Sequence, residues 1–367
     1  MTFSIGTLSL TGRTWSPVGI DFGQRLIKAV QCKRVRGGWR LARAIAIPRA
    51  ERTAIPSAAE CARLAGVLYR RGFEGSDVVV AAPHGALLSS VMDLPPRSSG
   101  APVDTIARME LARSHKRDAS ALEVAWWDLP EPARPGGSRA SDGMAAMAVG
   151  MTHEHSAAIL DGMSAAGLQV LAIEPLPMSL ARAALPLCGG GGLSAIIDVG
   201  WTATTLSLIH GSTLIYTRGV EEAGLRKLYE RAMPRMAVDE QRLDRLLAGT
   251  DEDSTERRGI ERELQAQLEQ HSSILSRELM ASLTYAGHRY PGVARGTLLL
   301  CGGGAELAGL AQRVSTAIGA PAAVVSPAML ALESEPTFVN RGWSTLCGAM
   351  GLCSHPCESA QRERRAA

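Results

Sequence analysis

The chain has 367 residues, a formal net charge of +3 and 46% hydrophobic residues, which is enough for two domains with sizeable cores. Aromatic residues make up only 4%, and no arginine- or lysine-rich stripe alternates with them, so a nucleic-acid-binding protein is not expected. The first residues lack the layout of a signal peptide, and no apolar run approaches the roughly 18 residues that span a bilayer. We therefore expect a cytoplasmic or membrane-peripheral protein.

The cysteines and the polar C-terminal tail, residues 353–367, favour a reducing compartment. The seven cysteines are an odd number scattered along the chain, which is typical of free thiols in a cytosolic protein. Cys353, His355 and Cys357, with Cys347 nearby, carry side chains that bind zinc, but no second ligand pair accompanies them. Zinc binding and free thiols both stay open. The tail has no apolar face, so an amphipathic membrane anchor is not expected.

The first predicted element is a β-hairpin over residues 18–30, which follows an N-terminal arm, residues 1–15. An apolar strand ends at Asp21, and a second apolar run begins after a glycine-bearing turn. Backbone N–H groups at such a turn suit phosphate oxygens, and the carboxylate can hold Mg²⁺ through water. The alternative is that the acid only caps the turn. The residues that continue this pattern are Gly23, Gln24, Arg25 and Lys28.

The next stretch predicts alternating strands and helices. One segment, residues 130–142, is rich in Pro, Gly and Ser, which predicts a mobile hairpin loop. Four glycines at 189–192 are followed by no Lys-Ser or Lys-Thr pair, so they are interpreted as a hinge between two halves and not as a phosphate loop. Strands are expected at 39–47, 78–92, 122–129 and 144–151, and helices at 57–72, 105–115 and 153–166.

A second acid–glycine hairpin lies at residues 195–208, with the sequence AIIDVGWTATTLSL. An apolar strand again ends in an acid, Asp198, and a turn with Gly200 leads through Thr202 and Thr204 into another apolar strand. Two hairpins of the same kind in the two halves of the chain indicate an internal duplication.

Beyond this hairpin the chain is predominantly helical. Residues 256–287 place leucines along one face, which predicts an amphipathic helix with a break near His271. A later strand runs into three consecutive glycines, whose backbone lets a base or ribose approach closely. The remaining predicted elements are a strand at 297–300, the glycine loop Gly302, Gly303 and Gly304, a helix at 311–318, a strand at 322–325 and a closing helix at 341–352.

The order of two hairpins and a glycine loop resembles the actin/Hsp70-type nucleotide-binding fold, whose first hairpin carries a lysine seven residues after the acid, as Lys28 follows Asp21. From about residue 18 to residue 352 the chain resembles the PilM family of type IV pilus assembly. Segments 78–96 and 165–183 are similar to the start of that family's inserted subdomain and to its connecting segment. The resemblance implies an α/β fold, two-lobed and actin-like (ribonuclease H-like), with an inserted subdomain of the FtsA type.

The resemblance also divides the chain. The first actin-like domain is expected at 16–188, with the inserted subdomain at about 50–172. The second is expected at 189–330, with a helical subdomain at about 220–290. The closing segment, 331–352, is expected to return to the first domain, which places the two hairpins on either side of a cleft.

By the same resemblance, MgATP binds between the halves. Asp21 and Asp198 hold the Mg²⁺ shell, because a hard cation prefers oxygen ligands and keeps several waters. Glu174 stands where the superfamily has its water-orienting group, and its alternative is a structural residue before Pro175. The nucleotide-binding set is Asp21, Gly23, Gln24, Arg25, Lys28, Asp198, Gly200, Thr202, Thr204, Gly302, Gly303 and Gly304.

Two departures from the family pattern weaken the expectation of catalysis. Gln24 and Arg25 stand where PilM proteins usually have small hydroxyl residues, and the bulky Trp201 follows Gly200 where a small residue is usual. Trp201 is large enough to crowd a terminal phosphate. We therefore expect ATP to bind with weak or absent hydrolysis and to act as a conformational ligand.

The resemblance implies a cytoplasmic, ATP-binding scaffold of a type IV pilus or related secretion machine, held at the inner membrane by its partner. That partner is expected to be the N-terminal cytoplasmic peptide of a single-pass inner-membrane protein, with the machine's motor ATPase as a further contact. Two alternatives stay open. One is the cytoplasmic half of a type II secretion protein of the same fold, and the other is a small-molecule kinase of the superfamily.

Overall fold

In the computed structural model of this chain, the described residues are 14–36, 38–131, 143–188, 192–250, 257–326 and 343–355. The predicted loop at 130–142 and the predicted hinge at 189–192 lie mostly outside these ranges, as do residues 1–13 of the predicted arm. The last two residues of that arm pair with an inner strand of the first sheet, since the Arg34 N–H donates to the Thr14 carbonyl at 2.8 Å and Trp15 bridges to Lys33.

The first sheet contains the first predicted hairpin at its centre. Its strands are β1 (Val18–Phe22), β2 (Leu26–Val35), β3 (Gly38–Pro48), β4 (Asp77–Ala82) and β8 (Gln169–Pro175), in the order β3-β2-β1-β4-β8. The first three strands are antiparallel, and β4 and β8 are parallel to β1. Helix α1 (Ala58–Arg70) connects β3 to β4, and the Ser57 side chain caps it by accepting the Glu60 N–H.

The second sheet repeats this plan. Its strands are β9 (Leu193–Val199), β10 (Thr204–His210), β11 (Thr213–Val220), β12 (Arg295–Cys301) and β13 (Ala322–Val324), in the order β11-β10-β9-β12-β13. Three strands are again antiparallel, and two are parallel to the first. The predicted duplication is therefore confirmed, and the two acid-bearing strands, β1 and β9, occupy equivalent positions.

A separate three-stranded sheet is inserted between β4 and β8. It contains β5 (Leu88–Leu94), β6 (Leu122–Asp128) and β7 (Met144–Thr152) in the order β5-β7-β6, with helix α2 (Val103–Ser114) packed on it. The predicted bounds of the insertion, about 50–172, are too wide. Two strands within those bounds, β4 and β8, pair into the first sheet. Helix α1 also lies within those bounds, and it packs with helix α3 (His153–Ala165), which contacts β8 of the first sheet.

Between β11 and β12, the described residues form three α-helices: α5 (Leu225–Met236), α6 (Glu240–Ala248) and α7 (Arg257–Arg289). The predicted break near His271 is wrong, because α7 is continuous. The His271 ring is fully buried, and burial, with the nearby Arg231 charge, lowers its pKa to about 4. A neutral imidazole fits an apolar helix face, so no break is needed. The buried leucines of this face are Leu264, Leu268, Leu275, Leu279 and Leu283.

Two helices join the lobes by crossing between them. Helix α4 (Leu176–Ala184) follows β8 and packs on β9, β10 and β11, whereas α9 (Trp343–Cys353) packs on β1, β2 and β4. The two helices touch backbone to backbone, since a Cβ on Gly351 would lie 1.8 Å from the Ser179 carbonyl oxygen. Helix α8 (Leu310–Ile318) packs on α7 and β13. Within the described ranges, no helix combines the length and the apolar character needed to cross a membrane.

Candidate functional site

A cleft lies between the two large sheets, at the ends of β1 and β9 where the two predicted acids stand. Its volume is ≈ 1100 Å³, somewhat above the usual range for small-molecule sites, about 300–1,000 Å³. The sequence-predicted residues that line it are Asp21, Gly23, Gln24, Arg25, Lys28, Asp198, Gly200, Thr202 and Gly303. Glu174, Thr204, Gly302 and Gly304 were predicted for the same site and are not among the lining residues.

The centre of the cleft holds two carboxylates and one ammonium group. Lys28 Nζ lies 2.7 Å from Asp21 Oδ2, and both side chains are largely buried. Burial lowers the pKa of Lys28, but Asp21 and Asp198 outweigh it and the net pKa is raised, so the ammonium group stays charged. Burial raises the pKa of Asp198 to about 6; Lys28 opposes this rise and Asp21 adds to it. Asp198 is therefore a carboxylate at neutral pH and holds a proton below about pH 6.

The strand registers show which side chains accompany each acid. Asp21 is paired with Lys28, and Asp198 is paired with Thr205, which lines the cleft and was missed. Directly paired residues present their side chains on the same face of a sheet. The predicted Thr204 points the other way, is fully buried, and donates its hydroxyl to the Ala223 carbonyl. The sequence contained a signal for Thr205, because Thr205 follows Asp198 by seven residues, as Lys28 follows Asp21.

The three glycines of the loop after β12 have two different roles: two pack against the protein and one faces the cleft. Gly302 has a φ of +86°, and a Cβ there would lie 2.2 Å from Asp198 Oδ1, so the loop packs directly on the acid. A Cβ on Gly304 would collide with Val199 and Leu225. These two glycines therefore shape the loop, and Gly303, which has open space around it, is the one that faces the cleft.

Glu174, the predicted water-orienting residue, is held away from the cleft. Its carboxylate accepts two hydrogen bonds from the Arg182 guanidinium, one of them at 3.0 Å, and the same guanidinium donates to the Gly351 carbonyl at 2.8 Å. Glu174 is buried and joins β8 to α4 and α9. The structural interpretation, left open by the sequence, is therefore favoured over the catalytic one.

Arg25 and Trp201, the two departures from the family pattern, meet across the mouth of the cleft. The Arg25 guanidinium lies 4.6 Å from the centre of the Trp201 ring and donates two hydrogen bonds to Asp244, at 3.1 and 2.7 Å. The Tyr229 hydroxyl donates to the same carboxylate. Asp244 lies in α6, so this cluster joins the first hairpin to the helical subdomain of the second lobe. Arg25 thus contacts the other lobe with its side chain.

A second group of contacts, made by Arg49, anchors the first turn to the body of the first lobe. The Arg49 guanidinium is fully buried and donates to both carboxylate oxygens of Glu60, which is also buried. The same guanidinium donates to the Gly23 carbonyl at 3.2 Å, and the Arg49 N–H donates to the Arg25 carbonyl at 2.9 Å. The turn that carries the predicted phosphate-binding N–H groups is thereby fixed to the sheet and to α1.

One end of the cleft is apolar. Besides Gly303 and polar groups such as Gln265, this end is lined by leucines of α6, α7 and the segment after the glycine loop: Leu246, Leu247, Leu264, Leu268 and Leu307. An apolar pocket next to a charged centre suits a ligand that has a flat apolar ring at one end and anionic groups at the other. Two acids, one lysine and the exposed backbone at Gly303 therefore fit a magnesium nucleotide.

The alternative zinc site in the tail is not supported by the described residues. Cys353 Sγ lies 3.7 Å from Cys32 Sγ and donates to the Met350 carbonyl. Cys357 lies outside the described residues, and within those residues no group of three or more potential ligands could hold a metal ion.

Comparison of the whole fold with solved structures identifies what this chain is similar to. It matches a chain of the PilM-PilN type IV pilus biogenesis complex with a TM-score of 0.68 and 19% identity, covering 92% of this chain and 97% of that one. It also matches the ethanolamine utilization protein EutJ from Carboxydothermus hydrogenoformans with a TM-score of 0.51 and 14% identity, covering 95% and 92%. No family model and no curated protein matches the sequence. The chain has the predicted actin-like ATPase fold.

Proposed function

We propose that this chain binds MgATP in the cleft between its lobes and serves as an assembly component of a type IV pilus or a related secretion machine. MgATP binding is proposed from the charged groups at the centre of the cleft. Two acids from duplicated hairpins face one buried lysine, 2.7 Å from one of them, beside a glycine backbone packed on the other. Carboxylates suit a hard cation and an ammonium group suits phosphate oxygens, so this combination of charges favours a ligand that contains both.

Each part of the site has a place on the nucleotide. The apolar end beside Gly303 takes the base, and the N–H groups of the first turn and Lys28 take the phosphates. Asp21 and Asp198 hold Mg²⁺ through water, and the ion when bound neutralises phosphate charge. Lys28 contributes a point charge between the acids and the phosphates.

We propose that nucleotide acts as a conformational ligand with weak or absent turnover. Phosphoryl transfer to water depends on a group that orients the water. Glu174 is occupied by Arg182 and is absent from the cleft lining. The cross-lobe contact between Arg25 and Asp244 ties domain closure to the phosphate turn, which is how a bound nucleotide can select one arrangement of the lobes.

The role in pilus assembly is supported by the similarity of fold to a chain of the PilM-PilN complex over 92% of this chain. By this proposal the protein is cytoplasmic and reaches the inner membrane by binding the N-terminal cytoplasmic peptide of a single-pass membrane protein. The motor ATPase of the machine is a further proposed contact. No direct membrane anchor and no nucleic acid are part of the proposal.

The nucleotide part is tested by titrating a fluorescent ATP analogue, with Mg²⁺, into the full chain and into Asp198→Ala. We expect saturable binding by the wild type and its loss in the variant. Asp161→Ala is the matched control, because Asp161 is exposed on α3 and does not line the cleft. Absence of binding by the wild type would overturn the nucleotide proposal.

The partner part is tested separately. Isothermal titration with a synthetic peptide, taken from the cytoplasmic N-terminus of a single-pass inner-membrane protein of the same organism's pilus or secretion machine, should show one-to-one binding. A scrambled peptide of the same composition is the control. Equal heats from the two peptides would contradict the proposed partner and would leave nucleotide binding unaffected.

A further inference from the structure

His84 is the only imidazole among the described residues that line the cleft, and the function proposed above does not use it. It lies in the short connection from β4 to β5, where the Ala86 N–H donates to the Pro83 carbonyl at 2.9 Å and holds the turn. The ring is exposed toward the cleft. Among the described residues, no hydrogen bond to this ring is found, so its N–H is available to a ligand.

The His84 ring packs on the second lobe. A Cβ on Gly219 would lie 2.8 Å from both Cε1 and Nε2 of the ring, so only glycine at that position of β11 lets the imidazole sit there. Gly219 is paired with Thr205, and Thr205 is paired with Asp198. The three positions form one row across neighbouring strands, on the face that lines the cleft. The row runs from the acid, through a hydroxyl group, to the imidazole.

The opposite end of this row is the base end of the cleft. The glycine loop follows β12, which is next to β9 on one side, whereas β10 and β11 lie on the other side. Strand β11 is therefore three strand spacings from β12, about 14 Å at about 4.8 Å per spacing. A nucleotide with its base beside Gly303 and its phosphates at Asp198 extends toward His84. The phosphate farthest from the base is the one that comes nearest to the imidazole.

We propose that His84 donates a hydrogen bond to the terminal phosphate of a nucleoside triphosphate and so distinguishes the triphosphate from the diphosphate. This inference rests on the proposed nucleotide site and adds a residue that determines its specificity. A diphosphate with the same base position ends near Asp198 and does not reach the imidazole. An N–H donor to a phosphate oxygen makes a charge-assisted hydrogen bond, which is stronger than a neutral one.

The test measures the ratio of triphosphate affinity to diphosphate affinity, which a purely structural residue would not change. Isothermal titration gives the affinities of the full chain for MgADP and for the magnesium complex of AMPPNP, a triphosphate analogue that is not hydrolysed. We expect His84→Ala to weaken triphosphate binding about 10-fold or more, as for a lost hydrogen bond to a charged group. Diphosphate affinity should stay within about twofold.

Three further variants make the assignment specific. His84→Gln keeps an N–H donor and should recover part of the lost discrimination. Gly219→Ala should lower triphosphate affinity as His84→Ala does, because the new methyl group displaces the ring. His153→Ala is the matched control, since His153 is exposed at the start of α3 and away from the cleft. It should change neither affinity.

The outcomes separate this inference from the proposed function. If the wild type binds both nucleotides, Asp198→Ala binds neither, and His84→Ala keeps the wild-type ratio, His84 does not contact the terminal phosphate and the inference is wrong. An equal loss of both affinities in His84→Ala would also overturn it. If the wild type binds neither nucleotide, the proposed nucleotide site fails and this inference fails with it.

Discussion

The two predicted phosphate-binding turns, after Asp21 and after Asp198, share a backbone plan but are held in place by different contacts. The first turn depends on a buried ion pair, in which Arg49 links Glu60 to the Gly23 carbonyl. The second turn is held by backbone N–H groups at the start of α5, where the Leu225 N–H donates to the Gly200 carbonyl at 3.0 Å. A helix N-terminus has N–H groups without partners inside the helix, so it satisfies the turn without a charged side chain.

The same contrast holds for the side chain beside each acid. Lys28 and Thr205 occupy equivalent register positions, yet one carries a charge that stabilises Asp21 and the other a neutral hydroxyl. The duplicated backbone therefore provides two acids in a symmetric arrangement, and the side chains make the first turn the electrostatically sensitive one. Substitutions of equivalent positions should have unequal effects.

The largest expected effect is on the anchor of the first turn. Arg49→Met leaves the buried Glu60 carboxylate with only the partly exposed Arg63, 3.7 Å away, which should cost about 3–5 kcal/mol of unfolding free energy. Urea denaturation followed by circular dichroism measures it. Arg52→Met is the matched control, because that arginine is more than half exposed, and its loss should change stability by about 0.5 kcal/mol or less. Similar losses in both variants would show that the buried pair does not hold the turn.

The next effect compares the two residues beside the acids. Lys28→Met leaves Asp21 and Asp198 without the intervening cation and should cost about 2–3 kcal/mol in the absence of nucleotide. Thr205→Val, at the equivalent position, should cost about 1 kcal/mol or less, because no charge loses its partner. Both are measured by urea denaturation at neutral pH. Equal costs would contradict the idea that the first turn alone depends on charge.

A pH titration sharpens the comparison at the second acid. The pKa of Asp198 is raised to about 6, so below that pH the folded protein holds a proton there that Mg²⁺ must displace. Affinity for MgATP should therefore fall, by about tenfold per pH unit, as the pH drops below about 6. Lys28 opposes the rise of this pKa, so Lys28→Met should move the midpoint to higher pH. The nucleotide's own titration is common to both proteins, and an unmoved midpoint would contradict the assignment.

The smallest effect concerns the contact that joins the two turns. The side chains of Arg25 and Asp244 are 29% and 40% exposed, so their pairing should contribute about 1 kcal/mol or less. Arg25→Ala should speed nucleotide dissociation by about fivefold or less, measured by stopped-flow displacement. Asp244→Ala and the double variant should give the same rate as Arg25→Ala. Additive effects of the two single changes would mean that the pair does not act as one latch.

The arrangement of the sheets could be predicted because its signals are local. A hairpin is specified by a short apolar run, an acid and a glycine turn, and the repeat of that pattern predicted the duplication. The predicted helices after β3 and β12 were likewise visible from the spacing of their apolar residues. The bounds of the insertion could not be predicted, because the apolar sequence of β4 is equally compatible with pairing to β1 and with pairing to an inserted strand.

Side-chain roles at the site depended on what other parts of the chain bring near. Thr204 and Thr205 are neighbours in sequence, and only the register decides which of them faces the cleft. Glu174 was a plausible acid until Arg182 was found beside it. Arg25 pairs with Asp244, 219 residues away.

The sequence by itself determined the two acids, the lysine seven residues after the first, the glycine loop and hence the class of fold. These features follow from backbone geometry over a few residues, where strand alternation and tight turns leave few options. Only the tertiary structure placed His84 against Gly219 and Arg25 against Trp201. Such contacts depend on how two lobes pack, and that packing is set by many small apolar contacts spread over the whole chain.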